Sequence, residues 1–347
     1  MKILILKPSS LGDVIQALPV LRLLKLRFPD AAIHWWLDSN LVPLLADDPD
    51  LDGIVPFNRH GWGRPANLVK RFAELQAVRE QSFDWIIDLQ GLARSGLFAW
   101  LARGKLCVGF DDSREGARGF YDFCVPGARL SAHAVDCYLK ILRALDVPVH
   151  WNFEWLPPKP RAAEDVRRKW PVGAQRWVAL LPGARWPNKR WPAGHFAGLA
   201  GKLAAAHPDL RFAALGTQAD HDAGELIARS APGRALNLTG KTSLPEMIEW
   251  VRLSDLIISN DTGPLHVAAA LGKPVVAIFG PTDPRRTGPY GCQDGILQSR
   301  IPCVPCLSDR CANPLHLECL RLVTPELAFA SANAALHAKG KRLEARG

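Results

Sequence analysis

The stretch DLIISNDTGPLHVAAALGKPVVAIFGPTDP, Asp255 to Pro284, carries the clearest local signature of a fold in this chain. An apolar run, Leu256–Ser259, ends in the polar turn Asn260-Asp261-Thr262-Gly263. Pro264 then opens a helical pattern through Ala270, Gly272 stops it, and a second apolar run follows at Val275–Phe279. Strand, turn, helix, strand is the sequence form of a βαβ unit, whose strands lie parallel. Proline at the first helical position sacrifices an N–H that has no intrahelical partner, and the remaining free N–H groups point out of the helix end. Beside Gly263, which lets a ligand approach the backbone, those amides suit an anion such as a diphosphate. Thr262 adds a hydroxyl and His266 a ring N–H in the first turn. The plainer reading, in which Asp261 or Thr262 only caps the helix, uses the same residues.

Working outward, the same alternation of short apolar runs with helical patterns fills the chain. Strand candidates in the first half are Ile3–Leu6, Ile33–Leu37, Ile54–Phe57 and Trp85–Leu89; in the second they are Trp177–Leu181, Phe212–Leu215, Leu256–Ser259 and Val275–Phe279. Periodicity is lost around WLPPKPR, Trp155–Arg161, whose proline and charge mark a linker. The expected organisation is two α/β, Rossmann-like doubly wound domains facing a central cleft, where ligands of such sheets collect. Residues 1–155 form the first domain, 156–176 the linker and 177–323 the second domain; a last helix over 324–347 starts with Thr324 as N-cap and Pro325 at its first position. A length of 347 residues agrees with two domains.

In the first domain, ILILKPSSLGDVIQALP (Ile3–Pro19) ends a strand at Leu6 and begins a helix near Gly12, with Asp13 at its mouth. Pro19 inside that pattern predicts a kink or a restart. Asp13 is either a helix cap or a carboxylate that does chemistry. In the second domain, VALLPGARWPNKRWPAGHF (Val178–Phe196) places Arg185, Lys189 and Arg190 between a strand and a helix start. That loop shares a sheet edge with the Asp261–His266 turn, which favours a phosphate-binding role for Lys189 over simple solvation. Two look-alikes fail. Gly91 and Gly96 have Walker spacing, but Leu97-Phe98 replaces the required Lys-Ser/Thr, and no G-x-G-x-x-G follows a strand.

Composition narrows the partners. Charged residues make up 22% and hydrophobic residues 48% of the chain, as in soluble globular proteins. A net charge of +9 and a pI near 9.3 point to an anionic partner. Nucleic acid is disfavoured, because the positive charge is spread and neither a zinc-finger nor an RRM signature is present. No apolar run approaches the ~18 residues that span a bilayer, and Met1-Lys2-Ile3-Leu4 lacks signal-peptide form. The expected location is cytoplasmic. Among the 12 tryptophans, Trp62, Trp186 and Trp191 stand next to Arg or Pro, which suggests exposed aromatic surface, although tryptophan is more often found in a core.

Cysteines cluster at Cys303-x2-Cys306-x4-Cys311-x7-Cys319. Four thiols so close together in a cytoplasmic protein fit a structural metal better than disulfides, with zinc the default and iron the alternative. His316 is a substitute ligand, and four reduced thiols in an irregular segment are the competing reading. Cys107, Cys124, Cys137 and Cys292 are isolated and read as small core residues.

Taken together, KPSSLGDVIQALP, SNDTGPLHVAAALGKPVVAIFGPTDP and the Lys189-x-Trp191-Pro192 loop resemble the bacterial heptosyltransferases of glycosyltransferase family 9. Within that family DLQGLARSG (Asp88–Gly96) and SREGARGFYD (Ser113–Asp122) are most similar to enzymes that add the first heptose to Kdo–lipid A of lipopolysaccharide. The resemblance covers nearly the whole chain. It implies a GT-B fold with acceptor on the first domain, nucleotide sugar on the second, and a C-terminal helix that packs back toward the first. It further implies transfer of L-glycero-D-manno-heptose from ADP-heptose with inversion, no cofactor or metal in catalysis, and work at the cytoplasmic face of the inner membrane. On this basis Asp13 becomes the general base, and Lys189, Asp261, Thr262, Gly263 and His266 become donor contacts. The turn through Ser10 and Gly12 becomes the floor of the acceptor site. Arg59, Arg64, Lys70, Arg71, Arg114 and Arg118 become candidate partners of Kdo carboxylates and lipid A phosphates, for which arginine is suited. Two positions depart from the family pattern. Ala184 and Arg185 stand where a threonine pair precedes the lysine, and Gln218 stands where a glutamate meets the ribose. The cysteine cluster resembles other branches, including protein-modifying heptosyltransferases with an iron–cysteine finger. The alternative is therefore a family 9 enzyme with another acceptor, a later core heptose or a protein side chain.

Overall fold

The computed structural model describes residues 1–58, 68–127 and 131–344. They fall into two compact units, one ending at Pro157 and one beginning at Pro158. Arg59, Trp62 and Arg64 lie outside the described residues, as do the side chains of Lys70 and Arg71.

The first unit runs β1 (Lys2–Leu6), α1 (Leu11–Arg27), β2 (Ala32–Asp38), α2 (Val42–Leu45), β3 (Gly53–Phe57), α3 (Leu68–Glu80), β4 (Trp85–Asp88), α4 (Ala93–Ala102), β5 (Leu106–Phe110), β6 (Phe123–Val125) and α5 (Ala134–Ala144). The second runs α6 (Pro160–Lys169), β7 (Arg176–Leu181), α7 (Ala193–Ala206), β8 (Leu210–Ala214), α8 (His221–Ser230), β9 (Ala235–Asn237), α9 (Leu244–Leu253) and β10 (Leu256–Asn260). It continues with α10 (Gly263–Ala270), β11 (Val275–Phe279), α11 (Pro284–Thr287), β12 (Ile296–Gln298), α12 (Glu318–Arg321) and α13 (Pro325–Glu344).

Each unit holds a six-stranded sheet, in the orders β3-β2-β1-β4-β5-β6 and β12-β11-β10-β7-β8-β9. Every neighbouring pair is parallel, with Ile5 opposite Ile87 in one sheet and Ile258 opposite Leu180 in the other. The two orders are the same winding: the chain starts at the sheet centre, adds two strands outward, and crosses over to build the other side. The crossover leaves a switch point between β1 and β4, and another between β7 and β10, where loops diverge at the carboxyl ends of the strands. Helices on both faces explain the unbroken apolar strands. Ile3, Leu4, Ile5 and Leu6 are fully buried, as are Leu256, Ile257 and Ile258.

The eight strands expected from sequence all form, with ends shifted by at most two residues. Four others went unseen: β5, with Gly109 inside it, and the three-residue β6, β9 and β12, too short for an alternating pattern. Two further expectations change. α1 runs unbroken through Pro19, whose ring is buried, so no restart occurs. Within the span 156–176 expected as linker, Pro160–Lys169 form α6, whose Ala162 and Val166 are buried and which packs on α9. α13 lays Ala328, Ala332 and Leu336, four residues apart on one helix face, into the core of the second unit beside Phe196, Leu199 and Leu203. Among the described residues no helix is long and apolar enough to cross a membrane.

Arg22 fixes α1 in the first unit. Its guanidinium makes a bidentate pair with Asp48 at 2.6 Å, reaches Asp50 at 2.8 Å, and donates to the Trp155 carbonyl. Burial opposes the cation, but the two carboxylates outweigh it and hold its pKa above the ordinary arginine value. Removing one partner of a buried pair strands the other charge. Asp48→Ala is therefore expected to cost about 3 kcal/mol, the low end of the range because Asp50 remains. Native-state hydrogen exchange at the α1 amides checks this; unchanged protection would contradict it.

Candidate active site

The residues expected to bind a donor all come from loops at the carboxyl edge of the second sheet. The β7 loop brings Arg185 and Lys189, the β8 loop Gln218, and the β10 loop Asp261, Thr262 and Gly263, with His266 in the first turn of α10. Nζ of Lys189 lies 2.6 Å from Oδ2 of Asp261 and 4.7 Å from the centre of the Trp186 ring. Thr282 Oγ1 donates to the same carboxylate oxygen at 2.6 Å. Lys189 is 18% exposed and Asp261 7%, so the pair is partly withdrawn from water.

Fully buried Asn260 sets the distance between the two loops. Its Nδ2 donates to the Pro182 carbonyl at 2.7 Å, and its Oδ1 accepts from the Trp191 N–H at 3.0 Å. Trp191 itself is a core residue, not an exposed one, and its indole N–H donates to the Val323 carbonyl. Tryptophan next to Arg and Pro misled the sequence-based expectation here because Pro192 only leads into α7. Trp186 does stand at the site, half-buried beneath the Lys189 ammonium.

Thr262 occupies the N-cap of α10 in extended conformation, yet its side chain makes no capping bond. Asp261 is engaged by Lys189 and Thr282. Pro264 holds the second helical position, after Gly263. The capping reading of this turn is thus not realised, and the helix opens its positive end without a side-chain cap. Gln218 is exposed beside Gly240, whose φ of 72° favours glycine; a β-carbon there would stand 2.4 Å from Gln218 Oε1. Arg185 is exposed, and His266 is buried.

In the first unit the β1 loop carries Ser10, buried Gly12 and half-buried Asp13. Ser10 caps α1, and both its backbone N–H (2.9 Å) and its hydroxyl (2.6 Å) donate to Asp13 Oδ2. The capping role of Asp13 is therefore real, and it fixes the carboxylate in one place at the mouth of the helix. Close by, buried Lys7 donates to the Leu89 carbonyl at 3.3 Å and sits over the Tyr138 ring. Burial works against its ammonium, but Tyr138 and then Asp13 outweigh burial and raise its pKa. At the end of β4, fully buried Asp88 accepts from the N–H groups of Gln90 and Gly91 and from the Tyr121 hydroxyl at 2.7 Å. Arg114 and Arg118, both exposed, stand on the β5 loop, which is tied back by the Arg114 N–H to the Gly91 carbonyl.

Two parallel sheets with polar, charged loops at both switch points match known enzymes along the chain. Residues 71–316 match glycosyltransferase family 9 (heptosyltransferase). The chain belongs to this family. Lipopolysaccharide heptosyltransferase 1 of Pseudomonas aeruginosa is 30% identical over 325 residues, 90% of this chain and 87% of the relative. The solved ADP-heptose lps heptosyltransferase II of E. coli is 25% identical with a TM-score of 0.79, covering 98% of this chain and all of that one. The E. coli heptosyltransferase WaaC with ADP is also 25% identical, with a TM-score of 0.71 over 86% of this chain and 92% of that one. The architecture is accordingly GT-B.

The four clustered cysteines of this family 9 chain line one cavity of about 590 Å³. Cys303 and Cys306 are exposed, Cys311 is half-buried and Cys319 buried, all as free thiols. Burial, then the neighbouring Cys303, Cys311 and Cys306, push the Cys319 thiol up. The Leu317 N–H donates to Cys311 Sγ at 3.3 Å and Asn313 Nδ2 to Cys303 Sγ at 3.6 Å. Among the described residues no three metal-ligating groups stand close enough together to hold an ion. His316 is exposed. Of the isolated cysteines, Cys107 and Cys137 are buried as expected, while Cys124 and Cys292 are only half-buried.

Lys7, Asp88, Tyr121, Tyr138, Asn260 and Thr282 were not legible as site residues. Lys7 and Asp88 do sit at strand ends, the one positional signal that could have marked them. Burial raises the Asp88 pKa above the usual 3.8, its hydrogen bonds opposing. A carboxyl with a higher pKa folded than unfolded binds more protons when folded, so stability falls as pH rises above 3.8. Asp88→Asn keeps an acceptor for both N–H groups and a donor for Tyr121. It is expected to flatten that decline while leaving stability at neutral pH equal or higher. Denaturant midpoints measured from pH 3 upward check this; an unaltered slope would contradict it.

Proposed function

We propose that this family 9 chain is an inverting heptosyltransferase of lipopolysaccharide synthesis. It moves L-glycero-D-manno-heptose from ADP-heptose to the Kdo–lipid A inner core, with Asp13 as general base and no metal in catalysis. The observation that carries the reading is the donor edge: an uncapped positive helix end beside the Lys189–Asp261 pair. Departure of ADP builds charge on its diphosphate. The α10 amides and the Lys189 ammonium answer that charge where other enzymes use a divalent ion. Asp261, steadied by Thr282, takes one of the ammonium's three donors, which leaves others for phosphate. Each such contact lowers the barrier by about 2–4 kcal/mol. Thr262, Gly263 and His266 complete the donor turn, and Arg185 and Gln218 reach the nucleotide from neighbouring loops.

An acceptor hydroxyl attacks only as its proton is removed. Asp13, pinned by Ser10, takes that proton, and Lys7 supplies the compensating positive charge. Arg114 and Arg118, with Arg59 and Arg64, meet the carboxylates and phosphates of the acceptor. The basic surface of a chain with net charge +9 suits peripheral work at the cytoplasmic face of the inner membrane. Similarity to both heptosyltransferase 1 and heptosyltransferase II supports a second reading, in which the acceptor is a later core heptose.

The cysteines are read as a structural zinc or iron site on their spacing and shared cavity. Binding requires the thiols to draw together, and no step of transfer passes through the ion. Metal analysis of protein purified without chelator is expected to find about one equivalent; none would favour free thiols.

Asp13→Ala is expected to lower the turnover of ADP-heptose by about 10²–10⁴-fold, with ADP affinity changed no more than a few-fold. Steady-state kinetics with calorimetry check both, and turnover like that of the unaltered chain would sink the assignment. Lys189→Ala is expected to weaken ADP binding in the same titration; unchanged affinity would remove Lys189 from the donor site.

A further inference from the structure

The cysteine segment bonds the neighbour of Lys189 and the neighbour of Thr282, the residue that holds Asp261. Asn188, next to Lys189, is 5% exposed, and its Nδ2 donates to the Ser308 carbonyl at 2.8 Å. Its Oδ1 is buried and finds no hydrogen-bond partner among the described residues. On the other flank, Thr282 donates to Asp261, and the adjacent Pro281 accepts from the Leu307 N–H at 2.7 Å. Leu307 and Ser308 are consecutive and lie between Cys306 and Cys311. Asn188 and Pro281 both line the cysteine cavity. A buried amide oxygen left without a partner is costly, and here it belongs to a residue that lines the cavity rimmed by four thiols.

Building on the donor-site reading above, we propose that the cysteine-lined cavity is a second site coupled to the donor site, with Asn188 as the positioning residue that carries the coupling. A diphosphate that draws Lys189 forward pulls on Asn188 and so on Ser308. Anything that engages the thiols, a soft cation or an electrophile, pulls the other way. Such coupling is reciprocal: what donor binding does to the thiols, thiol occupancy does to donor affinity by the same factor.

Maleimide alkylation of the full chain, resolved cysteine by cysteine by mass spectrometry with and without saturating ADP, tests this. ADP is expected to slow alkylation of Cys303 and Cys306 by roughly fivefold or more, while Cys124, in the other unit, is unaffected. Asn188→Ala is expected to lose the protection at an ADP concentration that calorimetry shows to be saturating. Asn188→Asp is expected to lose it too, because a carboxylate has no N–H for Ser308, whereas Asn188→Gln, which keeps the amide, restores part of it. Equal alkylation rates with ADP shown to be bound would overturn the coupling and leave the donor site standing. Protection that survives in Asn188→Ala would overturn the role of Asn188. Failure of the unaltered chain to bind ADP would overturn the donor-site reading and the coupling with it.

Discussion

The 2.6 Å contact between Lys189 and Asp261 joins the loop after β7 to the loop after β10 across the switch point of the second sheet. A parallel doubly wound sheet necessarily parts its loops there, and the gap must be bridged by something polar that a ligand can also address. Asn260 sets the gap from below by bonding Pro182 and Trp191, and Thr282 steadies Asp261 from the β11 side. A lysine free to wander would lose side-chain entropy on meeting a phosphate; one already held loses less. On the proposed donor reading, the carboxylate that competes with a diphosphate is also the group that holds the lysine ready for it.

The first unit repeats the winding with different chemistry. At its switch point the loop after β1 presents a carboxylate, not a cation, held by the Ser10 cap. The buried cation is Lys7, one residue beyond the strand, surrounded by Tyr138, Asp13 and the Leu89 carbonyl. Identical strand order with different loop chemistry is what the proposed function draws on: a carboxylate for a hydroxyl that must lose a proton, and a lysine for a leaving group that gains negative charge. The positions are dictated by the fold, and the residue types at those positions decide the reaction.

Much of this was legible in the residues. Strands buried on both faces announce themselves as apolar runs, so the central strands are legible, and with them the loops that carry Asp13, Lys189 and Asp261. Short edge strands such as β9 and β12 carry too few residues to show a period. Asn260 and Thr282 act through contacts distant in sequence, 78 residues to Pro182 and 21 to Asp261, which no local pattern reports. Trp191 shows the opposite failure, a residue given to the surface by its neighbours and taken into the core by the fold. Asp13 was read as cap or base; the Ser10 bonds make it a cap, and a fixed carboxylate is what a base requires as well. The cysteine spacing suggests a metal, but only the structure shows that its segment bonds the loops after β7 and β11 through Ser308 and Leu307.

The most direct test of the central claim is mass spectrometry of Kdo₂–lipid A after incubation with the chain and ADP-heptose. The account predicts acceptor heavier by one heptose, with ADP released in equal amount. Release of ADP with heptose on water alone, or a donor left intact, would contradict it.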